Sequence, residues 1–162
     1  MNRFFKTSLL ATALALGVGF AATQAFAYDE NSPAAINVDA GVILHGYDAV
    51  AYQTENRPVK GNSAFSATHE GATYHFASAA NRDTFLTDPA RYAPAYGGFC
   101  AMGAALEKKL DIDPTQFKVV DGRLYLNVNA DVFTAWEKDI PTNIKNADQN
   151  WPGIANEAPN TL

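Results

Sequence analysis

The 162-residue sequence is poor in cysteine and in basic residues. Its single cysteine, Cys100, cannot form a disulfide within the chain. It also cannot supply the several thiolates that zinc fingers and iron–sulfur sites require. The 12 Lys and Arg residues are outnumbered by 17 Asp and Glu, which gives a net charge of −5 and a pI near 5.0. Without a basic surface for phosphate backbones, nucleic-acid binding is not expected.

Two common catalytic motifs are also missing from the sequence. It has no Gly-x-Ser-x-Gly turn of a serine hydrolase and no His-Glu-x-x-His pair of a zinc hydrolase. The three histidines are His45, His69 and His75. Aromatic residues make up 12 % of the chain, which is enough for a packed core. The length and composition therefore predict one globular domain.

The first 27 residues have the pattern of a secretory signal peptide. Arg3 and Lys6 precede an apolar stretch over residues 9–22, and the small-x-small sequence Ala25-Phe26-Ala27 follows. Cleavage after Ala27 would leave a chain with a formal charge of −7. No later stretch approaches the ~20 apolar residues that span a bilayer. We therefore expect an exported protein of the periplasm or the exterior, with no membrane contact after cleavage; an uncleaved anchor is the alternative.

Two β-hairpins are predicted in the remaining sequence. Alternating residues flank Glu70-Gly71 within 63–76 and Asp121-Gly122 within 117–127, and both pairs favour two-residue turns. In the first hairpin, the inner-face pairs are Phe65 with Phe76, Ala67 with Tyr74 and His69 with Ala72. The inner face of the second carries Phe117, Val119, Leu124 and Leu126. Because side chains alternate along a strand, His75 points away from Tyr74 and Phe76.

Short helices are predicted around these hairpins. Ser78 caps the first, Asp88-Pro89 begins the second, and residues 101–109 form a third that starts at Cys100. Asn129 caps a terminal helix with an apolar stripe, which Pro141 interrupts or kinks. The stripe residues are Val132, Phe133, Trp136, Ile140 and Ile144. The fold class is therefore α+β: a small single domain with two antiparallel hairpins, short helices and a C-terminal helix.

Four segments resemble exported YHS-domain proteins, a group that includes YHS selenoproteins. They are residues 46–52 (Gly-Tyr-Asp-Ala-Val-Ala-Tyr), residues 72–78 (Ala-Thr-Tyr-His-Phe-Ala-Ser), Phe85 with Asp88-Pro89, and residues 92–101 (Tyr-Ala-Pro-Ala-Tyr-Gly-Gly-Phe-Cys-Ala). Phe76 takes the third place of the Tyr-His-Ser tripeptide that names the family. The resemblance predicts a YHS-like domain over residues 37–151, an extended lead-in over 28–36 and a flexible tail over 152–162.

The resemblance implies metal binding, because YHS domains occur attached to copper-transport and heavy-metal proteins. It also implies chemistry at Cys100, where some relatives carry selenocysteine. Cys100 and Met102 are soft ligands that select Cu(I), and the predicted ligand set is Cys100 and His75, with Met102 and His45 as further candidates. A helix N-terminus at Cys100 would lower its pKa and favour the thiolate.

Two alternatives remain open from the sequence. Cys100 could serve a thiol-dependent redox protein, forming a sulfenic acid or a mixed disulfide with a partner. Alternatively, the motif is structural, Cys100 is a small core residue, and the domain binds a partner. The leading hypothesis is a non-catalytic module for copper or another soft metal ion, working with a metal-handling or redox protein.

Overall fold

The structure is a computed structural model that describes residues 28–162, so the predicted signal peptide lies outside the described residues. The described chain contains short strands, short helices and one longer C-terminal helix. The strands are β1 (Val38–Asp39), β2 (Val42–Ile43), β3 (Asn62–His69), β4 (Ala72–Phe76), β5 (Asp113–Val120) and β6 (Arg123–Asn127). The α-helices are α1 (Ala49–Thr54), α2 (Ala79–Thr87), α3 (Pro89–Tyr92), α4 (Ala101–Ala105), α5 (Ala130–Glu137) and α6 (Ile140–Ile154). Three 3-10 turns cover Leu44–Gly46, Ala95–Gly98 and Pro159–Thr161. This confirms the α+β class.

The first hairpin belongs to a four-stranded sheet with the order β1-β2-β4-β3, in which β2 and β4 run parallel. Its turn has left-handed backbone at both Glu70 and Gly71, the conformation that a two-residue hairpin turn requires. The predicted register is confirmed near the turn, where Ala67 pairs with Tyr74 and His69 with Ala72. Farther along, Phe76 pairs with Asn62 and not with Phe65. An irregularity in β3 between Asn62 and Ser66 inserts extra residues and shifts the pairing.

The second hairpin forms a separate two-stranded sheet with the predicted turn at Asp121-Gly122. Val119 pairs with Leu124 and Phe117 with Leu126, which confirms the inner face. These residues pack against the main core, whereas Tyr125, on the other face of β6, contacts Trp136 in a second cluster. The hairpin is therefore covered on both sides, and β6 is the strand on which the two cores meet.

Helix starts are predicted well because each rests on a local hydrogen bond. The side chains of Ser78, Asp88 and Asn129 accept backbone N–H groups at the starts of α2, α3 and α5. The helix after Cys100 is shorter than the predicted 101–109, because it ends at Ala105 and Glu107 adopts left-handed backbone. Pro141 lies in the first turn of a new helix, α6, which Asp139 caps. The predicted terminal helix is thus two helices, since a proline that disrupts a helix interior is well accommodated at a helix start.

The segments at the two ends of residues 28–162 are more structured than the sequence indicates. The segment expected as a flexible tail over 152–162 contains the end of α6 and a 3-10 turn, and Asn160 N–H donates to Glu30 O. Beneath this contact, the ammonium of buried Lys109 donates to Ala34 O at 2.8 Å, Ala155 O at 3.0 Å and Glu157 O at 2.8 Å. One lysine therefore connects the segment before β1 with the segment after α6. Within residues 28–162, the helices all fall short of the length and apolarity that crossing a bilayer demands.

Candidate functional site

Cys100 lies in the core at the start of α4. Its side chain is 0 % exposed. The Sγ atom accepts a hydrogen bond from Gly103 N–H at 3.4 Å and donates to Asn127 Oδ1 at 3.5 Å. Its backbone N–H donates to Leu110 O at 3.0 Å. The position at a helix start is as predicted, and the side chain is enclosed by the domain.

The prediction of a lowered thiol pKa is wrong. Burial raises the pKa of Cys100, and this effect exceeds the opposite effect of the backbone groups of Gly103, Val128 and Met102. A five-residue helix offers only a few N–H groups, whereas full burial removes the water that would solvate a thiolate. Cys100 is therefore a protonated thiol at neutral pH.

Asn127 is the polar neighbour of Cys100. Its Oδ1 accepts from Cys100 Sγ and from Met102 N–H, the latter at 3.2 Å. The Asn127 side chain therefore fixes the first turn of α4 against β6. The Met102 side chain is half-buried and packs against both hydrophobic clusters. Such packing is typical of a methionine that fills an irregular gap.

His45, unlike Cys100, is partly exposed and lies in a strained turn. Leu44, His45 and Gly46 all have left-handed backbone, with φ values of 57°, 49° and 75°. A left-handed backbone is strained for non-glycine residues such as Leu44 and His45. Strain of this kind is found at functional sites, where the surrounding structure maintains it. The His45 Nε2 atom lies 2.9 Å from Asp111 Oδ1, and the two side chains are 16 % and 27 % exposed. The turn therefore presents a histidine that a carboxylate holds in place.

Asp111 is held as a carboxylate. Burial acts to raise its pKa, but hydrogen bonds from His45, Asn37 and the Ile112 backbone outweigh burial and lower the pKa below its usual value. An ionised carboxylate can only accept, so the proton of the hydrogen bond belongs to His45 Nε2. In the neutral imidazole the lone pair is then on Nδ1. Carboxylates fix the tautomer of metal-binding histidines in this way.

A second carboxylate, Asp48, caps helix α1. It is buried and accepts from the backbone N–H groups of Val50, Ala51 and Ala77 and from Asn81 Nδ2. These bonds join α1 to the end of β4 and to α2. Asp48 therefore holds the scaffold, and Asp111 holds the histidine.

His75 packs against the turn that carries His45. A Cβ atom on Gly46 would lie 3.3 Å from His75 Nδ1, and a Cβ on Gly61 would lie 2.5 Å from the His75 carbonyl. Only glycine allows these close approaches. Burial and the charge of Lys60 both lower the pKa of His75, so its imidazole is neutral at pH 7. As predicted, the side chain lies on the opposite face of β4 from Tyr74 and Phe76.

A cavity of about 410 Å³ opens beside these groups. We call it the histidine pocket, and it is lined by His45, Tyr47, Lys60, Ile112, Asp113 and Pro114. The Lys60 ammonium lies 4.7 Å from the centre of the Tyr47 ring and donates to His45 O. The pocket therefore combines an oriented imidazole, an aromatic ring, a cation and an apolar wall.

The four predicted ligands fall into two places. Cys100 and Met102 belong to the core at α4 and β6, whereas His45 and His75 belong to the turn at residues 44–46. Within residues 28–162, no three His, Cys, Asp or Glu side chains form a group that could hold a metal ion. This donor set does not fit a structural zinc site, which needs four ligands.

Sequence reasoning missed three residues that organise this region. Asp111 holds His45, Asn37 donates to Asp111, and Lys109 ties down the chain ends. Asp111 and Lys109 lie in an irregular stretch between α4 and β5, where periodicity carries no information. A lysine next to an apolar residue gives a weak signal at most, because exposed lysines are common.

Comparison with known proteins finds a family match for one segment of the chain. Residues 50–96 match the family model of the YHS domain. The match includes His75 and Tyr96, and it ends before Cys100. No curated protein and no solved structure shows significant similarity to the chain. This match, over less than half of the chain, is consistent with a YHS domain-containing protein.

Proposed function

We propose that this protein is a non-catalytic binding protein for a soft metal ion, copper first, and that the ion binds at the histidine pocket. The observation that carries the proposal is the hydrogen bond between His45 Nε2 and Asp111 Oδ1 at the wall of an open cavity. It orients an imidazole and directs its lone pair to Nδ1. His75, neutral and packed against the same turn, is the second ligand candidate.

The chemistry of the pocket favours a soft, monovalent ion. Imidazole nitrogens suit copper, and two neutral donors satisfy an ion that accepts low coordination numbers. Divalent ions bring a second positive charge close to Lys60, which raises the electrostatic cost of binding. Copper would be held there without any change in oxidation state, so binding alone accounts for the residues present.

Cys100 has a framework role in this proposal. A protonated, fully buried thiol that bonds to Asn127 and Gly103 is a poor nucleophile. This disfavours the thiol-dependent redox alternative. Copper ligation by Cys100 and Met102 would require α4 to open and the thiol proton to leave, and it is the competing outcome of the experiment below.

The proposal also places the protein outside the cytoplasm. The signal-like sequence of residues 1–27 supports export to the periplasm or the exterior, where a metal-handling or redox protein would deliver or receive the ion. A weakly held ion near the surface suits exchange between proteins better than an ion enclosed in the core.

The test is an anaerobic Cu(I) titration against a competing chelator, with protein purified after expression of the full-length chain. We expect one Cu(I) per protein. His45→Ala should lower the affinity at least about 10-fold, and His75→Ala should lower it as well. Cys100→Ser and Met102→Leu should leave the affinity unchanged, provided that circular dichroism shows a native fold.

His69→Ala is the matched control. His69 is a half-buried histidine on the hairpin that also carries His75, but its ring contacts Tyr74 and Phe85 and does not line the histidine pocket. Absence of competition at every metal ratio would overturn the copper proposal. Loss of binding in Cys100→Ser with full binding in His45→Ala would mean that the ion binds at Cys100 in the core and not at the histidine pocket.

A further inference from the structure

Asn37 connects two distant parts of the chain to Asp111. The residue is only 9 % exposed. The Nδ2 atom donates to Asp111 Oδ1 at 2.9 Å and to Gly98 O at 3.2 Å, and the backbone N–H donates to Gly97 O at 2.8 Å. Both amide hydrogens are thus used, and one of them ends on the oxygen that also binds His45.

The Tyr96-Gly97-Gly98 turn holds Asn37 in this position. All three residues have left-handed backbone, with φ values of 52°, 59° and 84°. A Cβ atom on Gly97 would lie 1.9 Å from Ala35 O, so no other residue allows the segment that precedes Asn37 to approach this closely. The turn directs the Gly97 and Gly98 carbonyls toward Asn37. Gly97 and Gly98 therefore allow the segment before β1 to pack closely, and they also form the turn that leads to Cys100.

We infer that Asn37 is a positioning residue for the histidine pocket: held by the Gly97 and Gly98 carbonyls, it fixes the Asp111 carboxylate, which fixes the tautomer and direction of the His45 imidazole. The inference rests on the proposed function for the role of His45 as a ligand. The positioning itself is independent of any metal ion, since it concerns hydrogen bonds within the protein. Without Asn37, the Asp111 side chain loses one of its two side-chain partners and the freedom of its carboxylate increases.

The experiment measures the His45 tautomer directly in metal-free protein. Ring ¹⁵N shifts are recorded at about pH 8, above the ordinary histidine pKa of about 6.5, with His45→Gln used to assign the signals. We expect the wild type to hold the Nε2–H tautomer almost exclusively. Asn37→Ala and the similarly shaped Asn37→Leu should populate both tautomers, and their Cu(I) affinity should fall roughly 10-fold.

Asn150→Ala is the matched control, because Asn150 Nδ2 also donates to two backbone carbonyls, Ala104 O and Ala105 O, far from His45 in the chain. It should change neither the tautomer nor the affinity. An unchanged tautomer in both Asn37 variants would overturn the inference, whatever the copper result. A changed tautomer in the Asn37 variants, together with a copper affinity that is the same in His45→Ala and wild type, would support the positioning role and overturn the proposed function.

Discussion

Cys100 and His45 have opposite surroundings, although the sequence offers both as metal ligands. Cys100 is fully buried, and its hydrogen bonds go to a helix turn and to an asparagine amide. His45 is partly exposed, bonds to a carboxylate and borders a cavity. Burial raises the pKa of Cys100 and keeps its proton in place, whereas His45 Nε2 lies 2.9 Å from the Asp111 carboxylate.

The difference teaches that a soft ligand type is insufficient to identify a site. A ligand must also lose its proton and be reached by the ion, and both requirements depend on tertiary surroundings. Cys100 meets the first requirement poorly, since full burial leaves no water to stabilise the thiolate. His45 meets the second requirement because it lines a cavity, together with residues that local sequence patterns do not bring close.

The largest expected effect concerns access to the thiol. Alkylation of Cys100 by iodoacetamide in native protein should be slower than in unfolded protein by about 100-fold or more, because reaction requires local opening of α4. The measurement is the rate of mass increase by mass spectrometry at a fixed pH, with and without urea. Comparable rates in the two states would show an accessible, activated thiol and restore the redox alternative.

The second effect compares the contributions of the two regions to stability. Cys100→Ala removes a buried sulfur and a helix cap, so it should lower the free energy of unfolding by about 2 kcal/mol. His45→Ala removes the partly exposed hydrogen bond to Asp111 and should cost about 1 kcal/mol. Urea unfolding followed by circular dichroism measures both. A larger loss for His45→Ala would mean that the pocket, and not Cys100, is the structural element.

Local interactions explain why much of the fold is predictable from sequence. Ser78 and Asn129 cap helices with backbone groups three residues away. The two-residue turns at Glu70-Gly71 and Asp121-Gly122 determine which residues pair across each hairpin next to the turn. The predicted pairing of Phe65 with Phe76 is wrong for a local reason, because the Asn62 side chain accepts from Ala64 N–H at 2.9 Å where the pairing in β3 shifts.

The candidate site is less predictable because its contacts are long-range. His45 and Asp111 are 66 residues apart, and Asn37 and Asp111 are 74 apart. Neither pair belongs to a periodic pattern, so nothing in the sequence links them before the chain folds. The Gly97-Gly98 pair gives a signal of close backbone approach, but the segment that approaches is revealed only by the structure.

The third effect is the pH dependence of the His45–Asp111 pair. The pKa of Asp111 lies below its unfolded value of 3.8, so the carboxylate stabilises the folded protein above about pH 4. This contribution should be lost as the pH falls through the lower, folded pKa. The difference in unfolding free energy between wild type and Asp111→Asn, about 1 kcal/mol at pH 7, should therefore shrink below pH 4. A difference that is constant from pH 7 to 3 would contradict an ionised Asp111 partner.

The smallest effect decides which charge the histidine pocket accepts. The Lys60 ammonium lies at the pocket and lowers the pKa of His75, so it repels any cation bound there. Lys60→Met should therefore raise the Cu(I) affinity about two- to three-fold at low salt, and less at high salt, because the repulsion is screened. Lys60→Arg keeps the charge and should leave the affinity near that of the wild type. The opposite result, weaker copper binding in Lys60→Met and unchanged binding in Lys60→Arg, would contradict this repulsion. It would mean that the positive charge of Lys60 favours binding, and that the pocket suits an anion better than a metal ion.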